Sequence, residues 1–200
     1  MSWDSVIDAS KDGDGKVLAK ALENSTLAVV NASDEHERTA LSWACANGHA
    51  ACVQMLLKKR ADPSRVDAFD YTALHEACSF GHERCVRLLL DGNADPNSTN
   101  NVDEAPIHIA VSRGQVGCAA LLLSNGAFQN RTCHRGLPIH VACQFGRRAC
   151  IELLLRVGPE GTSKRAGASA EPVAMGRHLA DAIAPPPLAS ATLALVKHPV

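Results

Sequence analysis

The stretch Thr72–Pro96, TALHEACSFGHERCVRLLLDGNADP, decides the fold of this chain because it is written four times. Thr39 opens TALSWACANGHAACVQMLLKKRADP 33 residues earlier, and Ala105 opens APIHIAVSRGQVGCAALLLSNGAFQ 33 residues later. Leu137 opens LPIHVACQFGRRACIELLLRVGPEG after 32, the missing residue falling between Asn130 and Leu137. The copies agree position by position: Gly48, Gly81, Gly114 and Gly146 coincide, as do Leu57, Leu90, Leu123 and Leu155. A fixed period of this length marks a stacked repeat.

Within a copy, small and apolar residues recur at helical spacing, as in Leu74, Ala77 and Cys78, then Cys85, Leu88 and Leu89. The glycine between the two runs interrupts the pattern and permits a tight turn. Pro106 and Pro138 sit near a helix start, where a missing N–H costs little. Each copy therefore predicts two short helices, and the chain an all-α fold. One helix pair is too small to bury its own apolar face, so the core must come from stacking.

These residues resemble the ankyrin repeat, whose pattern is a TPLHxA opening, a Gly-His turn, a VxxLL helix and a G-A-D-x-N exit. Thr72-Ala73-Leu74-His75, Gly81-His82, Val86-Arg87-Leu88-Leu89-Leu90 and Asn93-Ala94-Asp95-Pro96-Asn97 follow it closely. The departures are Ser42 for the motif histidine, Gln115 and Arg147 for the turn histidine, Ala119 in the third outer helix and Leu137 for the opening threonine. The resemblance implies a solenoid of helix-turn-helix units joined by hairpin-like loops, with four repeats over residues 31–158.

The ends are read less directly. In residues 1–30, Ile7, Ala9, Val17, Leu18 and Leu22 bracket a turn at Asp12-Gly13-Asp14-Gly15, and Val30-Asn31 aligns with Pro63-Ser64 and Pro96-Asn97. This is the pattern of a degenerate repeat capping the N-terminal side, its exposed face polar at Asp4, Lys11, Lys16, Lys20 and Glu23. Residues 159–200 hold six of the ten prolines and are rich in alanine. A degenerate C-terminal capping repeat and an unstructured tail both fit them, and a piece of a longer ankyrin protein is also compatible with the composition change.

A net charge of −1 lacks the basic footprint that nucleic acid or an anionic membrane surface requires. The first residues carry no basic-then-apolar signal, and the longest apolar-leaning run, Leu188–Val196, is too short to span a bilayer as a helix. The expectation is a soluble monomer of the cytoplasm, the nucleus being compatible too, with a protein partner and neither nucleic acid nor membrane.

Eight cysteines suggest chemistry until they are aligned. Cys52, Cys85, Cys118 and Cys150 occupy one repeat position, and Cys45, Cys78 and Cys143 another. Seven are thus expected in the core as small hydrophobes, spread along the stack and unable to converge on zinc. Cys133 stands apart, in a loop with Arg131, His134 and Arg135, and is read as an exposed thiol. In ankyrin repeats the motif histidine, here His75, His108 and His140, ties the loop to the helix start. Asp12, Asp14 and Gly15 fall short of a calcium loop, since its first and twelfth positions would be Ser10 and Ala21. No phosphate loop and no nucleophile with a base can be picked out, so neither cofactor, metal nor enzymatic activity is expected.

The resemblance implies binding through loop tips and the exposed side of the inner helices. The tips fall at residues 34–38, 65–71, 100–104 and 131–136, and the inner-helix positions at 46–47, 79–80, 112–113 and 144–145. The residues expected to meet a partner are Glu35, Arg38, Phe69, Tyr71, Phe80, Val102, Arg113, Arg135 and Phe145. Three of the four phenylalanines fall there, and aromatic side chains commonly anchor interfaces. Trp43 reads as half-buried, with core packing as good an account. Asp34, Glu35, Glu37, Asp67, Asp70, Asp103 and Glu104 make the first three tips acidic, and Arg131 and Arg135 reverse the sign at the fourth. The leading reading is an interaction scaffold. The alternative is the substrate-recognition adaptor of a ubiquitin ligase, because LHEACSFGHERCVRLLL is similar to repeats of ankyrin-and-SOCS-box proteins. That reading needs a C-terminal docking box, for which Ile183–Leu193 is the faint candidate.

Overall fold

The computed structural model describes residues 3–158 with the exception of Asn24. Eleven helices are described: α1 Trp3–Asp12, α2 Gly15–Leu22, α3 Leu27–Val30, α4 Ala40–Ala46, α5 Ala50–Lys58, α6 Ala73–Phe80, α7 Glu83–Asp91, α8 Pro106–Arg113, α9 Val116–Ser124, α10 Pro138–Gln144 and α11 Arg148–Val157. They pack in two rows. The inner row runs α1, α4, α6, α8, α10, each helix against the next, and the outer row runs α2, α5, α7, α9, α11.

One core runs the length of the stack. Leu41, Leu74 and Ile107 from the inner row and Leu56, Leu89 and Leu122 from the outer row are at most 1% exposed. Burying one such side chain contributes about 2 kcal/mol, and each is covered from both sides by neighbouring repeats. Cys45, Cys52, Cys78, Cys85, Cys118 and Cys150 are buried, as their alignment requires. Burial pushes the Cys45 and Cys78 thiols up, which keeps them protonated. Cys143 departs from the expectation and is exposed. Its counterparts Cys45 and Cys78 reach Cys85 and Cys118 in the outer helix of the next repeat, and no described repeat follows α10 and α11. Leu155 is 48% exposed for the same reason, while its counterpart Leu123 is buried.

The inner turn shows why its glycine recurs. Gly48 has φ +76°, and a β-carbon built there would meet the His82 ring at 2.6 Å. The next repeat lays a side chain across each such glycine: His49 on Gly13, His82 on Gly48, Gln115 on Gly81 and Arg147 on Gly114. The His82 Nε2 reaches the Ala46 carbonyl at 3.0 Å, and the Arg147 Nε donates to the equivalent Ser112 carbonyl at 2.9 Å. Arginine thus replaces the turn histidine without loss of that bond.

Adjacent repeats are also tied at the other edge. Antiparallel bridges Ser33–Thr39, Val66–Thr72 and Cys133–Gly136 close three of the tips as miniature hairpins. The His75 Nδ1 accepts from the Thr72 N–H at 3.1 Å, so its Nε2 carries the proton and donates to the Glu104 carbonyl at 3.0 Å. His108 repeats the arrangement with the Ala105 N–H and the Arg131 carbonyl. Both rings are neutral because burial disfavours their charge; His75 is held down to about 4. Pro106 and Pro138 stand at the first positions of α8 and α10, as expected. Asp14 is the N-cap of α2, accepting from the Lys16 and Val17 N–H groups.

Candidate partner-binding face

The tips are built by one repeated device. The Asp34 carboxylate accepts the backbone N–H groups of His36 and Arg38, Asp67 those of Phe69 and Tyr71, and the Asn100 side-chain oxygen those of Val102 and Glu104. Cys133 occupies the fourth such position, its sulfur accepting from the Arg135 N–H at 3.4 Å. The loop thiol is therefore half-buried turn structure and not the exposed group expected from its neighbours. Three residues past the acceptor the chain turns left-handed, at Glu37, Asp70 and Asp103 with φ near +60°, and at Gly136 with φ +94°. The tips are also linked to one another: the Ala68 N–H donates to the His36 carbonyl, Asn101 N–H to Phe69, and the His134 ring to Val102.

This architecture redistributes the charges read from the sequence. Asp67 and Glu104 are 5% and 3% exposed and do not face solvent. Arg38 reaches across the repeat boundary to pair with Asp67 and Glu76, and Arg135 pairs with Glu104. Burial raises the Glu76 carboxyl, against the Arg38 guanidinium that favours its charge. Two of the expected contact residues, Arg38 and Arg135, are thus committed to internal struts. Their guanidinium planes still line the face: Arg38 lies over the Trp43 ring at 4.6 Å, and Arg135 over Phe145 at 5.4 Å. The middle tips keep Asp70 and Asp103 exposed, so the acidic strip is narrower than the sequence suggests.

The other expected residues divide by exposure. Phe69 is 63% exposed and Phe80 58%; Val102, Phe145, Glu35 and Arg113 are exposed as well. Tyr71 is half-buried, its ring 5.4 Å from His75. A cavity of about 310 Å³ brings Tyr71, Arg113, Arg135 and Phe145 together with Ile109 and Arg147. A second, of about 380 Å³, joins Glu35 to Trp3, Asp4, Asp8, Lys11 and Trp43. Phe69, Phe80 and Val102 line neither.

The second cavity was not anticipated. Its floor is Trp43, half-buried, whose indole N–H donates to Asp34 at 2.8 Å while the Lys11 ammonium sits 4.4 Å from the ring centre. Burial raises the Asp34 carboxyl, but the Trp43, Arg38 and His36 N–H groups outweigh it and hold it below its ordinary value. The polar N-terminal residues Asp4 and Lys11 gave the available signal, since helical spacing places them, with Asp8, along one side of α1.

Glu104, Cys133 and His134 each offer one donor atom within 4.8 Å of the others. The Arg135 guanidinium already holds the Glu104 carboxylate, and a divalent ion would have to displace it.

Two rows of short helices, stacked pairwise and edged by hairpin tips, define a helical-repeat protein of the kind that presents an extended surface. The family model for ankyrin repeats (three copies) matches residues 6–100 and 92–165. The chain belongs to the ankyrin repeat family. Ankyrin repeats are in general protein-binding modules, typically non-catalytic, and the match brings no catalytic domain with it. It is to ankyrin repeats at large and offers nothing for the SOCS-box subgroup, whose expected docking segment lies outside the described residues. A search of curated proteins found no match to the chain. No described helix is long and apolar enough to cross a membrane.

Proposed function

We propose that this chain is a protein-interaction scaffold whose partner lies along the tips and the exposed ends of α4, α6, α8 and α10. The observation that carries the reading is the exposure of Phe69, Phe80, Val102 and Phe145 on that side. The core does not need them there, and apolar groups left in water on a rigid frame are what an interface covers. The inter-repeat struts at Arg38 and Arg135 favour recognition by a preorganised surface, which lowers the ordering cost of binding. Residues 1–30 serve in this reading as the N-terminal capping repeat, since α1 and α2 cover the apolar sides of α4 and α5.

The test replaces Phe69, Phe80 and Phe145 together with Ala and compares the variant with the wild type against peptides selected on the wild-type domain. Loss of binding by at least tenfold, with circular dichroism unchanged, is expected. Undiminished binding by the folded variant removes this face from the account.

A further inference from the structure

The two cavities on the proposed face have the same construction and opposite charge. In the first, between α1 and α4, the innermost pair is already satisfied: Lys11 lies 4.0 Å from Asp34 and covers Trp43. What remains at the rim is acidic, Asp4, Asp8 and Glu35, all exposed, Glu35 lying 3.7 Å from the His36 ring, beside the indole of Trp3, 41% exposed. Among the described residues neither Asp4 nor Asp8 takes part in a salt bridge. In the second, spanning α6, α8 and α10, the innermost pair is Arg135 with Glu104. What remains there is basic, Arg113 and Arg147, both exposed, over a floor of Ile109 and Phe145. Arg113 likewise has no salt-bridge partner among the described residues.

We propose that the partner is an extended peptide segment carrying a Lys or Arg for the α1–α4 cavity and an Asp or Glu for the α8–α10 cavity, in that spatial order. This rests on the interaction face proposed above and adds the occupant's chemistry. The Trp3 indole and the carboxylates of Asp4 and Asp8 suit a cation with an aliphatic stem, which covers that indole while its head meets the acids. The second suits a carboxylate between guanidinium groups, which bind it through paired N–H donors. Like charge at either end repels a segment laid down in reverse, so the order of charges sets the register.

The spacing follows from the row of inner helices. Neighbouring helices lie about 8–10 Å apart, and the cavities are separated by between two and three such steps, roughly 20–25 Å. An extended chain advances about 3.3 Å per residue, so the two charges stand about six to eight residues apart in the peptide. A middle portion of that length passes the α4 and α6 end of the face, where Phe80 is exposed.

The experiment selects peptides from a random twelve-residue display library on the wild-type chain, then measures fluorescein-labelled synthetic copies by anisotropy at two salt concentrations. The expected peptides carry a basic and an acidic residue about six to eight apart. Binding falls at least tenfold in the Asp4→Lys, Asp8→Lys double variant and in Arg113→Glu, and weakens with salt. Selection on Arg113→Glu returns peptides that have lost the acidic position and kept the basic one. Peptides that need Phe69, Phe80 and Phe145 but show no ordered charges, and bind both charge variants as well as wild type, overturn this inference and leave the interaction face standing. Peptides indifferent to the aromatic replacement too, or no selected peptide at all, overturn both.

Discussion

Lowering the pH from 7 to 4.5 protonates His75 in the unfolded chain but leaves it neutral in the folded one. The unfolded imidazole titrates near 6.5, and burial holds the folded one down to about 4. Above pH 6.5 neither state binds the proton and the full stability is present. Below it the unfolded state binds one proton more, and stability falls by about 1.4 kcal/mol per pH unit. By pH 4.5 the loss from this one ring is roughly 2–3 kcal/mol, a large share of the about 5–15 kcal/mol of a small domain. His108 is shifted in the same direction and adds to it. The variant His75→Gln isolates the effect, because its amide can still bridge the Thr72 N–H and the Glu104 carbonyl but has no proton to gain. Urea unfolding of both proteins, followed by circular dichroism at four pH values, gives the comparison. The wild type should be the more stable at pH 7, and its advantage should shrink by roughly 2–3 kcal/mol at pH 4.5. Carboxylates such as Asp34 and Glu76 titrate in both proteins and cancel in the difference. An advantage that stays constant across that range refutes the assignment of a neutral, buried ring.

Other consequences can be checked on the same footing. Gly48→Ala meets both a left-handed backbone and the His82 ring, whereas Gly146→Ala meets only the backbone, with open space around it. Unfolding should show a loss of about 1 kcal/mol at Gly146 and at least about 2 kcal/mol at Gly48; equal losses dismiss the ladder of side chains over turn glycines. Arg135→Ala strands the Glu104 carboxylate, 3% exposed, and should cost about 3 kcal/mol. Adding Glu104→Gln should restore part of that, and no restoration in the double variant denies the strut. Under native conditions iodoacetamide followed by mass spectrometry should modify Cys143 quickly, Cys133 slowly and the six buried cysteines not at all. Rapid labelling of Cys45 or Cys78 contradicts the core.

The repeat positions were legible because the same environment recurs at each turn of the stack. Gly48 and its equivalents, His75 and His108, and six of the seven aligned cysteines take the places their register assigns. Cys143 broke the pattern because a repeat position is defined by both neighbours, and one neighbour is missing from the described helices. The charges misled for a related reason. Asp67 and Asp70 are equally acidic in the sequence, yet one is enclosed as the turn's acceptor and the other is exposed at the left-handed residue. The signal was present in the 33-residue spacing of Asp34, Asp67, Asn100 and Cys133, which marks a structural position as surely as that of the glycines.

Period and residue type alone determined that this chain stacks paired helices, because helical spacing and the need to share a core are local properties; the resemblance to ankyrin repeats added that three phenylalanines fall at the tips and inner-helix ends. Which charges face solvent was decided only by tertiary structure. Arg38 finds Glu76, 38 positions away, and Arg135 finds Glu104, 31 away, across repeat boundaries. Such pairing depends on side-chain reach between repeats and on exclusion of water, and neither is written in the order of residues along one repeat.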